Sequence, residues 1–269
     1  MTKEFIKDLY QNSSLEKREI DLILCYVLNI NTAALFIFNQ QIPAEQQQNI
    51  LHLLQQRHHG KPLAYITGKK AFWTLDLKVN QHTLIPRPET EQIVELVLQW
   101  ANTDFSGKLL DLGTGTGAIA LSIAQERPEA QITAIDFSQE CVEIAKHNQQ
   151  KHALNNVTVF QSDWFKQVGN DKFDFIVSNP PYIAENDQHM HELKYEPASA
   201  LTAKNNGLAD LLHIIQQAPT YLHKNGFILL EHGYDQHRQV QKYLAENNYR
   251  NIKTHKDLAG IPRITSAQL

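Results

Sequence analysis

At 269 residues the chain exceeds one typical domain, and its 42% hydrophobic and 20% charged residues exclude a disordered protein and supply a substantial core. A formal net charge of −4 and a pI near 6.3 argue against extensive binding to a phosphate backbone, which needs a basic surface. Only Cys25 and Cys141 are present, which excludes a disulfide framework or a four-thiolate metal site and predicts a reducing, cytoplasmic setting.

The first residues, Met1-Thr2-Lys3-Glu4-Phe5, carry no apolar signal core, and no uncharged apolar run is long enough to span a bilayer. The first third reads as helices. Ser13 with Glu16 makes a capping-box pattern ahead of the apolar run Ile20, Leu22, Ile23, Leu24, Tyr26, Val27 and Leu28. Pro43 suits a first helical position, Ile50, Leu51, Leu53 and Leu54 give an apolar face, and Gly60 suits a helix end. The period then changes. Leu75, Leu77 and Val79 alternate with Asp76 and Lys78, a strand pattern, with His82-Thr83-Leu84-Ile85 as the expected hairpin partner. The expected organisation is therefore a helical domain over residues 1–70, a β-hairpin linker over 71–86 and a larger domain over 87–269.

From Pro88, strand and helix patterns alternate. Pro88 with Glu89 and Glu91 opens a helix through Ile93, Val94, Leu96 and Val97. Seven strands are expected, at Lys108–Leu112, Gln131–Ile135, Val157–Phe160, Phe173–Ser178, Phe227–Glu231, Asn251–His255 and Ile264–Ala267. Helical patterns such as Gln139–Lys151 and Gly207–Leu222 fill the gaps, which argues for an α/β fold with a mostly parallel sheet covered on both faces. Only a short loop with Gly260 and Pro262 joins the last two strands, so the final one should be antiparallel.

Two segments carry chemistry. Asp111-Leu112-Gly113-Thr114-Gly115-Thr116-Gly117-Ala118 ends the first strand of the sheet; its glycines let backbone approach a ligand, and the next helix points N–H groups at it. Asp136 ends the next strand, where a carboxylate can accept both hydroxyl hydrogens of a ribose. Gly113, Gly115 and Ala118 also satisfy a dinucleotide fingerprint, which keeps NAD open. Asp111 would neutralise an ammonium, and Ser162-Asp163-Trp164 offers a carboxylate and an indole for an adenine amine and ring. That set suits a positively charged adenosyl cofactor better than a pyrophosphate.

The second segment is Asn179-Pro180-Pro181-Tyr182, at the carboxyl end of the fourth expected strand, where open α/β sheets bind ligands. Two prolines stiffen the backbone and remove N–H donors, Asn179 adds a side-chain carbonyl, and Tyr182 a flat face with a polar tip. Acceptors converging beside an aromatic plane suit a planar –NH2 group, an amide or a base amine. His189-Met190-His191 with Glu192 lacks any further residue at ligand spacing, so no metal is expected. Cys25 and Cys141 read as small core residues, and His58-His59 as a solvated helix end.

These residues resemble the seven-stranded, Rossmann-like S-adenosylmethionine-dependent methyltransferases, and within them the HemK/PrmC family, which methylates the glutamine of class I peptide release factors. The resemblance covers nearly the whole chain: Pro62-Leu63-Ala64-Tyr65-Ile66-Thr67-Gly68, Leu84-Ile85-Pro86-Arg87-Pro88-Glu89-Thr90-Glu91, the glycine loop, Asn179–Tyr182, Tyr195-Glu196-Pro197 with Ala200-Leu201, and Glu231-His232-Gly233. Asn-Pro-Pro-Tyr alone is shared with adenine-directed and other glutamine-directed enzymes; the Arg87–Glu91 segment narrows it, because the sibling family acting on a ribosomal protein usually has Pro-Arg-Ser-Pro there. Pro262 departs from the family, and the chain stops soon after, which predicts a short final strand.

The resemblance implies S-adenosyl-L-methionine as cofactor, held by Asp111, Gly113, Thr114, Gly115, Thr116, Gly117, Asp136, Asp163, Trp164 and Asn179. It implies a release-factor glutamine bound by Asn179, Pro180, Pro181 and Tyr182, with Asn179, Pro180 and Tyr182 catalytic; the N-terminal helices, set apart by the change of period and carrying no cofactor motif, are expected to dock the protein substrate. An adenine-N6 methyltransferase is the rival enzyme, disfavoured by the acidic pI and the lack of a target-recognition domain. A non-enzymatic adenosyl-binding module would not require the intact Asn179–Tyr182 motif.

Overall fold

The computed structural model describes residues 2–191 and 193–269. The chain divides into two compact units, one up to Lys69 and one from Lys70 onward. Among the described residues, no helix is long and apolar enough to cross a membrane.

The first unit is helical: α1 (Thr2–Asn12), α2 (Lys17–Leu28), α3 (Thr32–Phe36), α4 (Ala44–His58) and α5 (Leu63–Thr67). Ile20, Ile23 and Leu24 recur on one face of α2 and pack with Ile50 and Leu54 of α4 and with Leu9, Ile42 and Ile66. Arg57 Nε donates to Glu19 Oε1 at 2.7 Å, tying α4 to α2. The expected capping box is not made. The helix begins only after Glu16, which has extended backbone and no side-chain cap, so Ser13 lies too far upstream and instead accepts the Leu15 N–H at 3.2 Å.

The second unit opens with a hairpin, β1 (Lys69–Phe72) and β2 (Leu75–Lys78). The partner of the Leu75–Lys78 strand therefore lies upstream, and His82–Ile85 is not a strand. Asn80 and Thr83 close a turn there, with the Thr83 N–H on the Asn80 carbonyl at 3.1 Å and the His82 N–H on Asn80 Oδ1 at 2.9 Å. The hairpin turn is Trp73-Thr74, with Trp73 at φ +54°, its backbone N–H held by Glu91 Oε1 at 2.8 Å and its indole by Glu126 Oε1 at 2.9 Å. Tertiary bonds, rather than a glycine or asparagine, hold that turn.

Then come α6 (Glu91–Trp100), β3 (Lys108–Leu112), α7 (Ala118–Glu126), β4 (Gln131–Asp136), α8 (Gln139–Lys151), β5 (Val157–Gln161) and β6 (Phe173–Ser178). After a short pair, β7 (Ile183–Ala184) and β8 (Thr202–Ala203), follow α9 (Lys204–Gly207), α10 (Ala209–Gln217), β9 (Leu222–Glu231), α11 (His237–Glu246), β10 (Arg250–Lys256) and β11 (Pro262–Gln268). The seven-stranded sheet has the order β10-β11-β9-β6-β3-β4-β5, and β11 alone runs against its neighbours. β11 is not short: it pairs with β9 from Ile264 to Gln268, and Pro262 stands at its first position, where a missing N–H is tolerated.

Side-chain alternation builds two cores. Leu109, Val177 and Leu229 join α6, α7 and α8 on one face, whereas Leu110, Leu112, Ile176, Ile228 and Leu230 join α10 and α11 on the other. Strand order reverses between β3 and β6, so the ends of those two strands flank the crevice where open sheets take ligands.

Candidate active site

The loop after β3 is shaped by Gly113, Gly115 and Gly117, all at positive φ. A Cβ on Gly115 (φ +56°) would meet nothing within 4 Å, because that backbone faces an open cavity of about 540 Å³. Asp136 lines the same cavity and fastens the loop: Oδ2 accepts the Gly115 N–H at 2.8 Å, and Oδ1 accepts the Ser138 N–H at 2.9 Å. Burial pushes its carboxyl pKa up, and those two N–H groups pull it back. Ser162 and Trp164 line the cavity too, with Gly113 facing the Trp164 ring.

Not every expected cofactor residue reaches that space. Asp111 has the same strand parity as Leu109 and lies beneath the loop, where Oδ2 accepts from Thr114 Oγ1 at 2.6 Å and from the Ala120 N–H at 3.2 Å. Thr114 and Thr116 are buried within the loop, and Gly117 packs on Leu121; none of the three lines the cavity. Asp163 is likewise outside it, because its carboxylate is drawn to Lys166 Nζ at 2.6 Å. Glu192 lies outside the described residues, among which no group of His, Cys, Asp and Glu has the arrangement of a metal site.

Asn179 follows β6 and lines both the large cavity and a second hollow of about 190 Å³ formed with Leu84, Arg87, Pro180, Tyr182 and Leu201. Ser178 aligns with Leu230 on β9, which sets Asn179 beside Glu231. Asn179 Nδ2 donates to Thr90 Oγ1 at 3.2 Å, and Thr90 Oγ1 donates to Glu231 Oε2 at 2.7 Å. Tyr182 OH donates to Glu231 Oε1 at 3.2 Å. Burial pushes Glu231 up to about 7 and, with Glu231 beside it, raises the Tyr182 phenol as well. The Tyr182 carbonyl accepts from Gln236 Nε2 at 2.9 Å, and a Cβ on Gly207 (φ +82°) would stand only 2.0 Å from that oxygen. Only glycine permits that approach.

Across the hollow, Glu196 is buried: Oε2 accepts the Ile85 N–H at 3.0 Å and Oε1 accepts from Arg87 at 2.5 Å. Thr90, Glu196 and Glu231 lie inside the motif segments, but Thr90 pairs with Glu231 and Glu196 with Ile85 and Arg87 across more than a hundred residues, which leaves no local pattern to read.

The donor set fits a cationic adenosyl group. A cavity-lining carboxylate, an indole face and open glycine backbone are present, and Asp111 Oδ1 is buried with no donor among the described residues. A bound pyrophosphate would add charge beside these two carboxylates.

Comparison with known proteins agrees with this reading. The methyltransferase small domain family matches residues 89–256, and the PrmC N-terminal domain family matches residues 2–68. A release factor glutamine methyltransferase of Vibrio cholerae is 45% identical over 264 residues, covering 96% of this chain and 92% of that protein. The Escherichia coli protein of the same name is 40% identical over 266 residues, covering 98% and 95%. Among solved structures, a methyltransferase from Pyrococcus furiosus shares the fold with a TM-score of 0.56 at 20% identity, covering 84% of this chain and 98% of that one. With a methyltransferase sheet, an Asn-Pro-Pro-Tyr turn at its switch point and relatives this similar along nearly the whole sequence, the chain belongs to the release factor glutamine methyltransferases.

Proposed function

We infer that the protein transfers a methyl group from S-adenosyl-L-methionine to the side-chain amide nitrogen of the glutamine in the Gly-Gly-Gln motif of class I peptide release factors. The observation that carries this reading is the place of Asn179, which lines both cavities while its own amide nitrogen is committed to Thr90. Gly113 and Gly115 backbone, the Asp136 carboxylate, Ser162 and Trp164 would hold the cofactor, with Asp111 supporting the loop beneath. When bound, the cofactor supplies an electrophilic methyl on a cationic sulfur.

The chain's own work is orientation. A primary amide nitrogen is a weak nucleophile because its lone pair is delocalised into the carbonyl. Asn179 Oδ1 and the Pro180 carbonyl accept the two N–H hydrogens and aim the nitrogen toward the larger cavity, while Tyr182 packs on the amide plane. Positioning of this kind supplies several of the roughly 7–11 kcal/mol available from preorganisation. No strong base is required, because the nitrogen becomes acidic as it is alkylated. We assign the helices of residues 1–70 to docking the protein substrate, since a glutamine on an exposed loop needs a second surface to fix its register.

Label transfer from S-adenosyl-L-methionine to a purified class I release factor tests the function. Incorporation into the intact factor, lost when its Gly-Gly-Gln glutamine is replaced by alanine, is expected. Equal labelling of both, or none, overturns it.

A further inference from the structure

We propose that Glu231, acting through Thr90, sets which way the Asn179 amide faces and so makes the site an acceptor for an amide –NH2. The proposal rests on the function inferred above and concerns two residues that do not touch the substrate hollow.

A hydroxyl has one hydrogen. Thr90 gives it to Glu231 Oε2 at 2.7 Å, so toward Asn179 its oxygen can only accept. The amide end that turns to Thr90 at 3.2 Å must then be Nδ2, which leaves Oδ1 pointing the opposite way. The other Glu231 oxygen takes the Tyr182 hydroxyl hydrogen at 3.2 Å, so one carboxylate holds both side chains of the motif. Both oxygens must be acceptors for this to hold. Put a donor on Oε2, and Thr90 can receive that hydrogen and offer its own to Asn179 Oδ1. A half-turn of the amide would follow with no change of shape, and Nδ2 would face the incoming N–H groups donor to donor. Burial on the sheet end makes the arrangement rigid: Thr90 and Glu231 are 4% and 1% exposed.

Glu231 and Thr90 are thus positioning residues, and their variants separate the hydrogen bond from packing. Thr90→Val keeps the shape and removes the acceptor; Thr90→Ser keeps the hydroxyl and removes a methyl. With a release factor as substrate, Thr90→Val should lower kcat roughly ten- to a hundredfold, a fraction of what loss of a directly contacting group costs. Its KM should stay near that of the wild type, and calorimetric affinity for S-adenosylhomocysteine should be unchanged. Thr90→Ser should recover kcat to within about threefold, since the same hydroxyl chemistry is restored. Glu231→Gln, which places an amide donor at one carboxylate oxygen, should fall in the same direction as Thr90→Val and decides the matter if the valine variant does not fold. Wild-type kcat in Thr90→Val and Glu231→Gln overturns the proposal, and so does a Thr90→Ser variant as slow as the valine one. If the wild-type protein itself methylates no release factor, the inferred function fails instead.

Discussion

Glu196 and Arg87 stand 109 residues apart yet meet at 2.5 Å, while the second Glu196 oxygen takes the Ile85 N–H at 3.0 Å. The carboxylate therefore clips the segment leading into α6 onto the loop that follows β7, and the two segments together wall the small hollow beside Tyr182. The pair is asymmetric: the Glu196 side chain is 4% exposed and that of Arg87 33%.

That asymmetry predicts unequal costs. Arg87→Ala leaves a buried carboxylate with a single backbone donor, a loss of about 2–3 kcal/mol once the water around Arg87 is allowed for. Glu196→Ala leaves an arginine free to turn toward water and only the Ile85 N–H without its acceptor, and should cost about 1–2 kcal/mol. Urea unfolding at pH 8 compares them; equal losses, or a larger one for Glu196→Ala, would refute the burial argument.

Much of the fold was legible because each strand of the seven-stranded sheet announces itself locally. Lys108–Leu112 and Phe173–Ser178 are apolar runs bounded by turn formers, and the structure starts and stops them at those residues. The antiparallel last strand followed from loop length alone. The hairpin was misread because Trp73 takes a positive φ that its residue type does not advertise, held there by Glu91 and Glu126. Asp111 and Asp163 look alike in sequence, but strand parity sends one under the loop and Lys166 pulls the other toward solvent. The Thr90–Glu231 contact bridges 141 residues, which no periodicity records.

Asn179→Ala removes the acceptor assigned to the substrate amide. By analogy with lost oxyanion-hole donors, kcat should fall by about 2.7–4 kcal/mol, roughly 10²–10³-fold. Affinity for S-adenosylhomocysteine should drop far less, because Asn179 is only one of many residues lining the larger cavity. Single-turnover kinetics at saturating cofactor measure the first quantity; a near-wild-type rate would remove Asn179 from the mechanism.

Asp136→Ala tests the residue proposed to hold the other ligand. Each charge-assisted bond lost costs on the order of 1.5–3 kcal/mol, and the Gly115 and Ser138 N–H groups lose their acceptor as well. Titration with S-adenosylhomocysteine should show a severe loss of affinity, smaller in Asp136→Asn, which retains one acceptor oxygen. Unchanged binding would move the ribose site elsewhere, and tighter binding of NAD than of the adenosyl ligand would return the dinucleotide reading.

A chain beginning at Lys70 keeps the sheet and both cavities of the larger unit. If the helices of residues 1–70 dock the release factor, this shortened protein, folded by circular dichroism, should bind S-adenosylhomocysteine and lose most methylation of the intact factor. A short glutamine peptide should be poor for both lengths. Full efficiency on the intact factor would make the helices a stabilising cap.

The last prediction turns on pH. Glu231 is pushed up to about 7 chiefly by burial; Glu89 adds to the rise, while the Thr90 and Tyr182 hydroxyls and Arg263 oppose it. His232 is its neighbour in the chain, and burial drives that imidazole down to about 4, so it stays neutral across the range of interest. Because the positioning of Asn179 needs Glu231 Oε2 as an acceptor, which only the ionised carboxylate ensures, kcat should climb as pH rises through about 7 and level off above it. Stability runs the other way. A carboxyl whose folded pKa exceeds its unfolded value of 4.5 stabilises fully below pH 4.5, and that contribution is lost as pH rises through 7. The difference corresponds to about 3 kcal/mol. Glu231→Gln should therefore be flat in kcat across this window, slower than the wild type at pH 8, and more stable than it there. His232 stays neutral in both proteins, and Asp111, which burial also pushes up to about 7, titrates in both, so each cancels in the difference between the two profiles. A wild-type profile with no limb near neutrality, or a glutamine variant that keeps the limb, would show that the ionisation of Glu231 does not govern Asn179.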